Sequence, residues 1–491
     1  MTINIKNISR LVCRLTCAVA LIGASACSND FIDIRPESST TTDLLYQTDG
    51  DFRDAITAVY TALQTQYDDF WIFADVPGED VTQEVVKNDP WYFADVFAMQ
   101  DNTPVLATTW SNYYVAITRA NLVLHHIQNI DAQSLPQRDR HIGESRFLRA
   151  LAYFDLVRIF GAVPKVTTPL TTEEAYNLPR EAAENVYRDV IIPDLLDAAE
   201  RLPTAYGGAD VGRATSGAAK ALLGRVYLTI HDFAKAEQIL GEVTTLGYAL
   251  LPNYDDLFDY TKDEHHSEYI FDIEYEEGMG NQGSVFTHRF MPNSSAMADH
   301  YGIRGGELAE TFSPTPALRA LFEPEDKRRN VTVGTTGGFT NSQGDFVRLP
   351  AATSQNYTLK YVTSVNLVGD SRANWKVIRY ADVLLMYAEA LNENGKTPEA
   401  IEQLNLVRHR AGVQPVATDN RDEARELIYR ERRLELSFEG HRWFDLVRTG
   451  RAFETLQPLG MQSFMTLFPV PLSQVQIINN PAIFPQNPGY N

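Results

Sequence analysis

The residues best placed to do chemistry crowd together near the end of the chain. Glu431, Glu435, Glu439 and Asp445 surround His441, with Arg432 and Arg442 among them. Two carboxylates with separated pKa values could act as general acid and general base in a hydrolysis. Their spacing argues for a different role. Glu431, Glu435 and Glu439 recur every four residues, which lines one helix face and sets them beside arginines for ion pairs along and between helices. A hydrolytic pair needs a cleft as well, and spacing supplies none. His125-His126 and His265-His266 resemble ligand pairs, but adjacent residues do not share a helix face, and neither pair has a third histidine or a cysteine in a zinc pattern. The sequence carries no nucleophile elbow, phosphate loop or zinc-protease motif. No cofactor and no metal are expected.

A second group suits binding. Trp71, Phe73, Trp91, Tyr92 and Phe93 share one stretch with Asp75, Glu79, Asp80, Asn88 and Asp89. Sugar rings stack their C–H faces on aromatic planes, and their hydroxyls need donors and acceptors alongside. The competing reading is that these aromatics are buried beneath a long loop, as Trp and Phe usually are.

The three cysteines fall within the first 27 residues. Lys6, Arg10 and Arg14 precede an apolar run from Leu15, and Gly23, Ala24, Ser25 and Ala26 lead into Cys27. This is the layout of a secretory signal peptide over 1–26, with Cys27 placed as the lipidation residue of a bacterial lipobox. Ala24 stands where such boxes usually carry leucine. The alternative is an ordinary signal peptide with an incidental cysteine. Cleavage before Cys27 removes three positive charges and no acid, so the net charge of −21 falls to near −24. A chain so acidic repels nucleic acid. The mature chain holds no other thiol, which excludes an internal disulfide and a cysteine nucleophile.

These side chains need a scaffold. Residues 27–43 are polar and read as a lipid-anchored tether. Helical periodicity dominates from Leu44 to Ile130, interrupted by the irregular stretch Asp68–Pro104, and a third helix runs from about Ile142 to Phe160, ended by Gly161 and Pro164. Two segments resemble tetratricopeptide helix pairs. One has Leu223, Gly224 and Tyr227 against Phe233, Ala236 and Leu240. The other has Leu384, Ala388 and Leu391, a turn at Gly395, then Ala400, Leu404 and Val407. Ala and Gly there let antiparallel helices approach closely. Between the pairs, residues from Tyr248 to about Trp375 are mostly non-helical, with short strands such as Tyr269–Ile273, and an insertion of that size usually carries function. The expected fold is mostly α, a tetratricopeptide-like helical scaffold with long loop-rich insertions and a few short strands.

Several blocks, taken in order, resemble the SusD/RagB family of Bacteroidetes surface lipoproteins: CSNDFID, WSNYYVAITRANLVL, GESRFLRALAYFDLVRIFGAVP, GRATSGAAKALLGRVYL, RYADVLLMYAEALNENG, ERRLELSFEGHRWFDLVRTG and LFPVPLSQVQIINNP. They spread over the whole mature chain. The resemblance divides it into an N-terminal helical region, 44–247, and a C-terminal region, 248–491, packed as one globular unit. It implies an outer-membrane, surface-exposed lipoprotein that binds a nutrient glycan. It also implies a partner, a SusC-like TonB-dependent transporter, and no enzymatic activity. The ligand site in relatives draws on both insertions. Here that gives Trp71, Asp75, Trp91 and Tyr92 from the first and Tyr301 and Arg304 from the second, which also offers Phe286, His288 and His300. Trp91 or Tyr92 is expected as the main stacking plane, Tyr301 as a second wall, and Asp75 and Arg304 as hydroxyl partners. The alternatives are a peptide-capturing lipoprotein of the same family, a surface glycoside hydrolase, and a helical-repeat assembly scaffold with no small ligand.

Overall fold

The computed structural model describes residues 45–83, 90–262, 264–280 and 282–490. The leader, Cys27 and the tether over 27–43 lie outside the described residues, as do Asn88 and Asp89.

Helix α1 (Asp49–Tyr67) starts at a capping box. The Thr48 hydroxyl accepts the Asp51 N–H, the Asp51 carboxylate accepts the Thr48 N–H, and Phe52, Ile56, Val59 and Leu63 turn inward. The short α2 (Pro90–Asp95) follows in the first insertion, then α3 (Pro104–His126), with proline in its first turn. Helix α4 (Arg138–Phe160) is buried along most of its length and ends at Gly161, whose φ of 71° few other residues adopt. It begins four residues before the periodicity suggested, because its first turn is polar. Then come α5 (Ile192–Arg201), α6 (Ser216–Thr229), capped by Thr215, and α7 (Phe233–Val243), capped by Asp232. The middle insertion carries the short α8 (Phe286–Phe290) and α9 (Ser295–Tyr301). Last are α10 (Tyr380–Glu393), α11 (Thr397–Ala411), α12 (Arg421–Glu435) and α13 (Arg442–Arg448).

The long helices stack in sequence. Helix α1 packs on α3, α3 on α4, α4 on α5, α5 on α6, and α6 on α7. Helix α7 then packs on α10, which packs on α11 and α12, so the array continues as though the middle insertion were absent. Both expected helix pairs are present, α6–α7 and α10–α11. The small residues act as the sequence suggests. A Cβ on Gly224 would lie 2.4 Å from Leu240 Cδ2, and Ala236, Ala388 and Ala400 are fully buried.

Strands β1 (Val81–Thr82), β2 (Val163–Pro164), β3 (Arg180–Glu181), β4 (Tyr269–Ile273), β5 (Ser313–Pro314), β6 (Gly338–Thr340), β7 (Phe346–Arg348) and β8 (Trp375–Arg379) form two-stranded antiparallel ladders: β1–β5, β2–β3, β4–β8 and β6–β7. The β4–β8 ladder closes the middle insertion at its base. Its interior is a second apolar cluster around Met291, Met297, Ile303, Phe339 and Tyr357. Residues 48–491 form one compact unit.

Candidate functional site

The first insertion docks on the middle one through backbone. Val81 and Thr82 of β1 pair with Pro314 and Ser313 of β5, the Thr315 N–H donates to the Asp80 carbonyl at 2.9 Å, and the Gln83 side chain donates to the Thr311 carbonyl. Thr311 in turn donates its N–H to the Arg289 carbonyl at 2.8 Å, which ties this seam to α8. The expected meeting of the two insertions therefore exists.

The structure divides the expected site residues between interior and surface. Trp71 is fully buried: its N–H donates to the Asp68 carbonyl at 2.9 Å, and Trp91, Phe290 and Phe312 crowd its ring. Asp75 is equally buried, its carboxylate accepting the Gly440 N–H at 3.0 and 3.2 Å, and burial pushes its pKa well above the usual carboxylate range. Neither has a face left for a ligand, and the expectation that they bind one is corrected. The reason lies far along the chain. The Gly440 turn needs an acceptor, and the ring of Trp71 fills the space between Phe290 and Phe312. Glu79 and Asp80 are likewise engaged, by Arg442 and Arg433; Arg433 Nε lies 2.9 Å from the Asp80 carboxylate. Phe73, Phe286 and His288 are buried too.

Trp91 and Tyr92, on α2, are half-buried, and Phe93 beside them is 37% exposed. The Arg289 guanidinium stands 5.4 Å from the centre of the Trp91 ring, held there by Asp69 at 2.7 Å. One residue earlier on α8, His288 donates from Nε2 to the Arg304 carbonyl at 2.9 Å. Consecutive residues of α8 thus reach Trp91 from one insertion and Arg304 from the other. Arg304 is exposed, pairs with Asp299 at 3.1 Å, and is fixed in place by its N–H to the Val365 carbonyl at 2.7 Å. Beside it Leu367 and Val368 are 61% and 54% exposed, an apolar tip that sequence reading missed. Gly305 marks it, since a Cβ there would lie 2.4 Å from the Asn366 carbonyl oxygen.

Tyr301 does not join this group. It packs near His300 and Phe339, and among the described residues no ring contact links it to Trp91 or Tyr92. It opens instead on a pocket of about 250 Å³ with Phe258 and Tyr260.

The acids near the C-terminus are structural. Glu431, Glu435 and Glu439 are buried and meet Arg328, Lys360, Arg379, Arg408 and Arg410. Burial raises the Glu439 carboxyl, but Arg379 and Lys360 outweigh it and hold the pKa at about 2. Burial lowers Lys360 to about 8 and His441 to about 3. The His265 ring faces Glu274 at 2.7 Å, and no cluster of three metal-ligating side chains occurs among the described residues.

Two family models match. The SusD family model covers residues 267–466, and a model described as starch-binding, associating with the outer membrane, covers residues 30–228. The chain is 27% identical to SusD-like protein P2 of Formosa agariphila, over 97% of this chain and 99% of that one. It is 25% identical to the starch-binding protein SusD of Bacteroides thetaiotaomicron, over 76% of each. The solved structure of a laminarin-binding SusD-like protein superposes with a TM-score of 0.77 at 28% identity, covering 91% of this chain and 100% of that one. By matches on both halves and by its fold, the chain belongs to the SusD/RagB family.

Proposed function

We propose that this protein is a surface-exposed outer-membrane lipoprotein, anchored through Cys27, that binds a nutrient glycan and passes it to a SusC-like TonB-dependent transporter without breaking a bond in it. One observation supports this location for the site: half-buried Trp91, with Tyr92 next to it on α2, and exposed Arg304 are each joined to α8, where the two insertions meet. An aromatic plane with guanidinium donors nearby suits a sugar ring with its hydroxyls. The laminarin-binding relative supports a glycan as the ligand, and the starch-binding, outer-membrane description of the second family model supports both ligand class and location. Among the described residues no helix is long and apolar enough to cross a membrane, and the anchor proposed is the lipid of Cys27.

The test is calorimetry of the wild type with laminarin, starch and a panel of other neutral polysaccharides, repeated with Trp91→Ala and Tyr92→Ala in the best binder. Weaker binding by folded variants supports this surface. Wild-type affinity in both variants places the groove elsewhere. Binding of cationic peptides but no glycan replaces this reading with peptide capture.

A further inference from the structure

The Tyr301 pocket lies wholly within the middle insertion and has its own polar equipment. Phe258 and Tyr260 are buried in its wall, and Val331, Leu359 and Val362 add apolar surface. Arg372 lines it and makes no hydrogen bond or ion pair among the described residues; its Nε is buried without a partner. That unmet N–H costs free energy, and in a chain of net charge −21 a cation without an acidic partner calls for an explanation. The Tyr301 hydroxyl has no partner among the described residues either, and the exposed Ser364 and Asp255 stand at the edge. The other acids nearby are occupied: Lys262 holds Asp256 at 2.5 Å and Asp259 at 3.5 Å.

We propose that this pocket is a second carbohydrate subsite, sized for one neutral sugar ring, in which Arg372 and Tyr301 donate to ring hydroxyls and Asp255 accepts from them. The volume of about 250 Å³ corresponds to roughly eight waters' share of liquid, enough for a single pyranose and too little for a chain. Donors, an acceptor and apolar side chains line the same pocket, a mixture that suits the hydroxyls and C–H faces of a sugar. Arg372 and Asp255 are unpaired with each other, so a ligand can use both. A free carboxylate at the rim disfavours an anionic sugar. The subsite rests on the glycan-capture reading and adds to it a place for a chain end or a side branch.

The experiment is saturation-transfer NMR on the full mature protein with methyl β-glucoside and the corresponding galactoside, mannoside and xyloside. It is repeated on Arg372→Gln, Tyr301→Phe and Trp91→Ala. Arg372 holds nothing in the fold and Tyr301→Phe keeps the ring, so both variants should fold, as checked by circular dichroism. At least one neutral glycoside should give a signal, and Arg372→Gln should weaken its binding roughly tenfold, as expected for losing a charged donor. Tyr301→Phe should weaken it less, and in Trp91→Ala, which disables the first site, the Arg372-dependent part of the signal should remain. No signal with any neutral glycoside, a signal indifferent to Arg372→Gln, or one lost only in Trp91→Ala overturns the proposal. Binding of methyl glucuronide in preference to every neutral glycoside also overturns it. If the wild type keeps the monosaccharide signal but binds no polysaccharide by calorimetry, the subsite stands and the capture reading falls.

Discussion

Arg379 grips Glu435 twice: its guanidinium reaches the Glu435 carboxylate at 2.5 Å and the Glu435 main-chain carbonyl at 2.7 Å. One contact joins the end of β8 to the side chain of α12, and the other satisfies a carbonyl that the end of that helix leaves open. Glu435 also meets Arg328 and Arg410, and these cations outweigh burial to hold its carboxyl far below the usual range. Glu435→Gln should therefore cost about 3–5 kcal/mol, because it strands buried cations. Urea denaturation measures this, and ligand affinity of the folded fraction should stay unchanged.

The α6–α7 contact makes a prediction with a built-in control. Gly224→Ala gains helix propensity but drives a methyl into Leu240, which is fully buried and has little room to yield. The net loss should be about 1–2 kcal/mol. In Gly224→Ala/Leu240→Ala the two losses should be less than additive, since the second change removes the obstacle. Additive losses would mean that the helices do not meet there.

His441 sets a slope in acid. Burial keeps the folded imidazole neutral down to about pH 3, while the unfolded one protonates near its ordinary 6.5. The unfolded chain therefore binds more protons in that window, and stability falls as pH drops through it. Replacing His441 with Gln should flatten the profile by up to about 1.4 kcal/mol per pH unit between pH 6 and 5. Denaturant midpoints at pH 7, 6 and 5 for both proteins provide the check. Glu439, with its lowered pKa, adds loss of stability only below about pH 4.5.

Trp71 and Trp91 should separate stability from binding. Trp71→Ala should cost about 3–5 kcal/mol of folding free energy, because it empties a ring-shaped space in the core. Trp91→Ala should cost less stability but about 2 kcal/mol or more of glycan affinity, as for a central stacking residue. The reverse pattern would remove Trp91 from the site.

Cys27→Ala should move the protein from the washed outer-membrane fraction to the soluble one, since a lipid chain is the anchor proposed. Retention of the variant in that fraction would overturn the lipoprotein reading.

The scaffold was legible because local rules specify it. The Gly161 stop and the small residues of α6 and α10 are written within a few positions of where they act. The site was only partly legible. Trp91 and Trp71 belong to the same aromatic stretch, yet one is half-exposed and the other sealed. The difference comes from Phe290 and Phe312, more than two hundred residues later. Asp75, Glu79 and Asp80 looked like sugar partners for the same reason. Their actual partners, Gly440, Arg442 and Arg433, lie more than 350 residues away, and no local pattern encodes them. Leu367 and Val368 went unnoticed because isolated apolar residues in a loop carry no periodic signal.

The middle insertion is bound to the helical array by charge. Arg328 and Lys360 project from it into the acids of α12 and the turn that follows, fully out of water. Parting the two would expose or strand ions on both sides, so the insertion and the helices should melt as one transition. A sugar held only by the insertion then stabilises every helix equally. At a hundredfold excess over its dissociation constant it adds about 2.7 kcal/mol to the whole unit. The melting temperature of helices that never touch the ligand thereby becomes a readout of its capture.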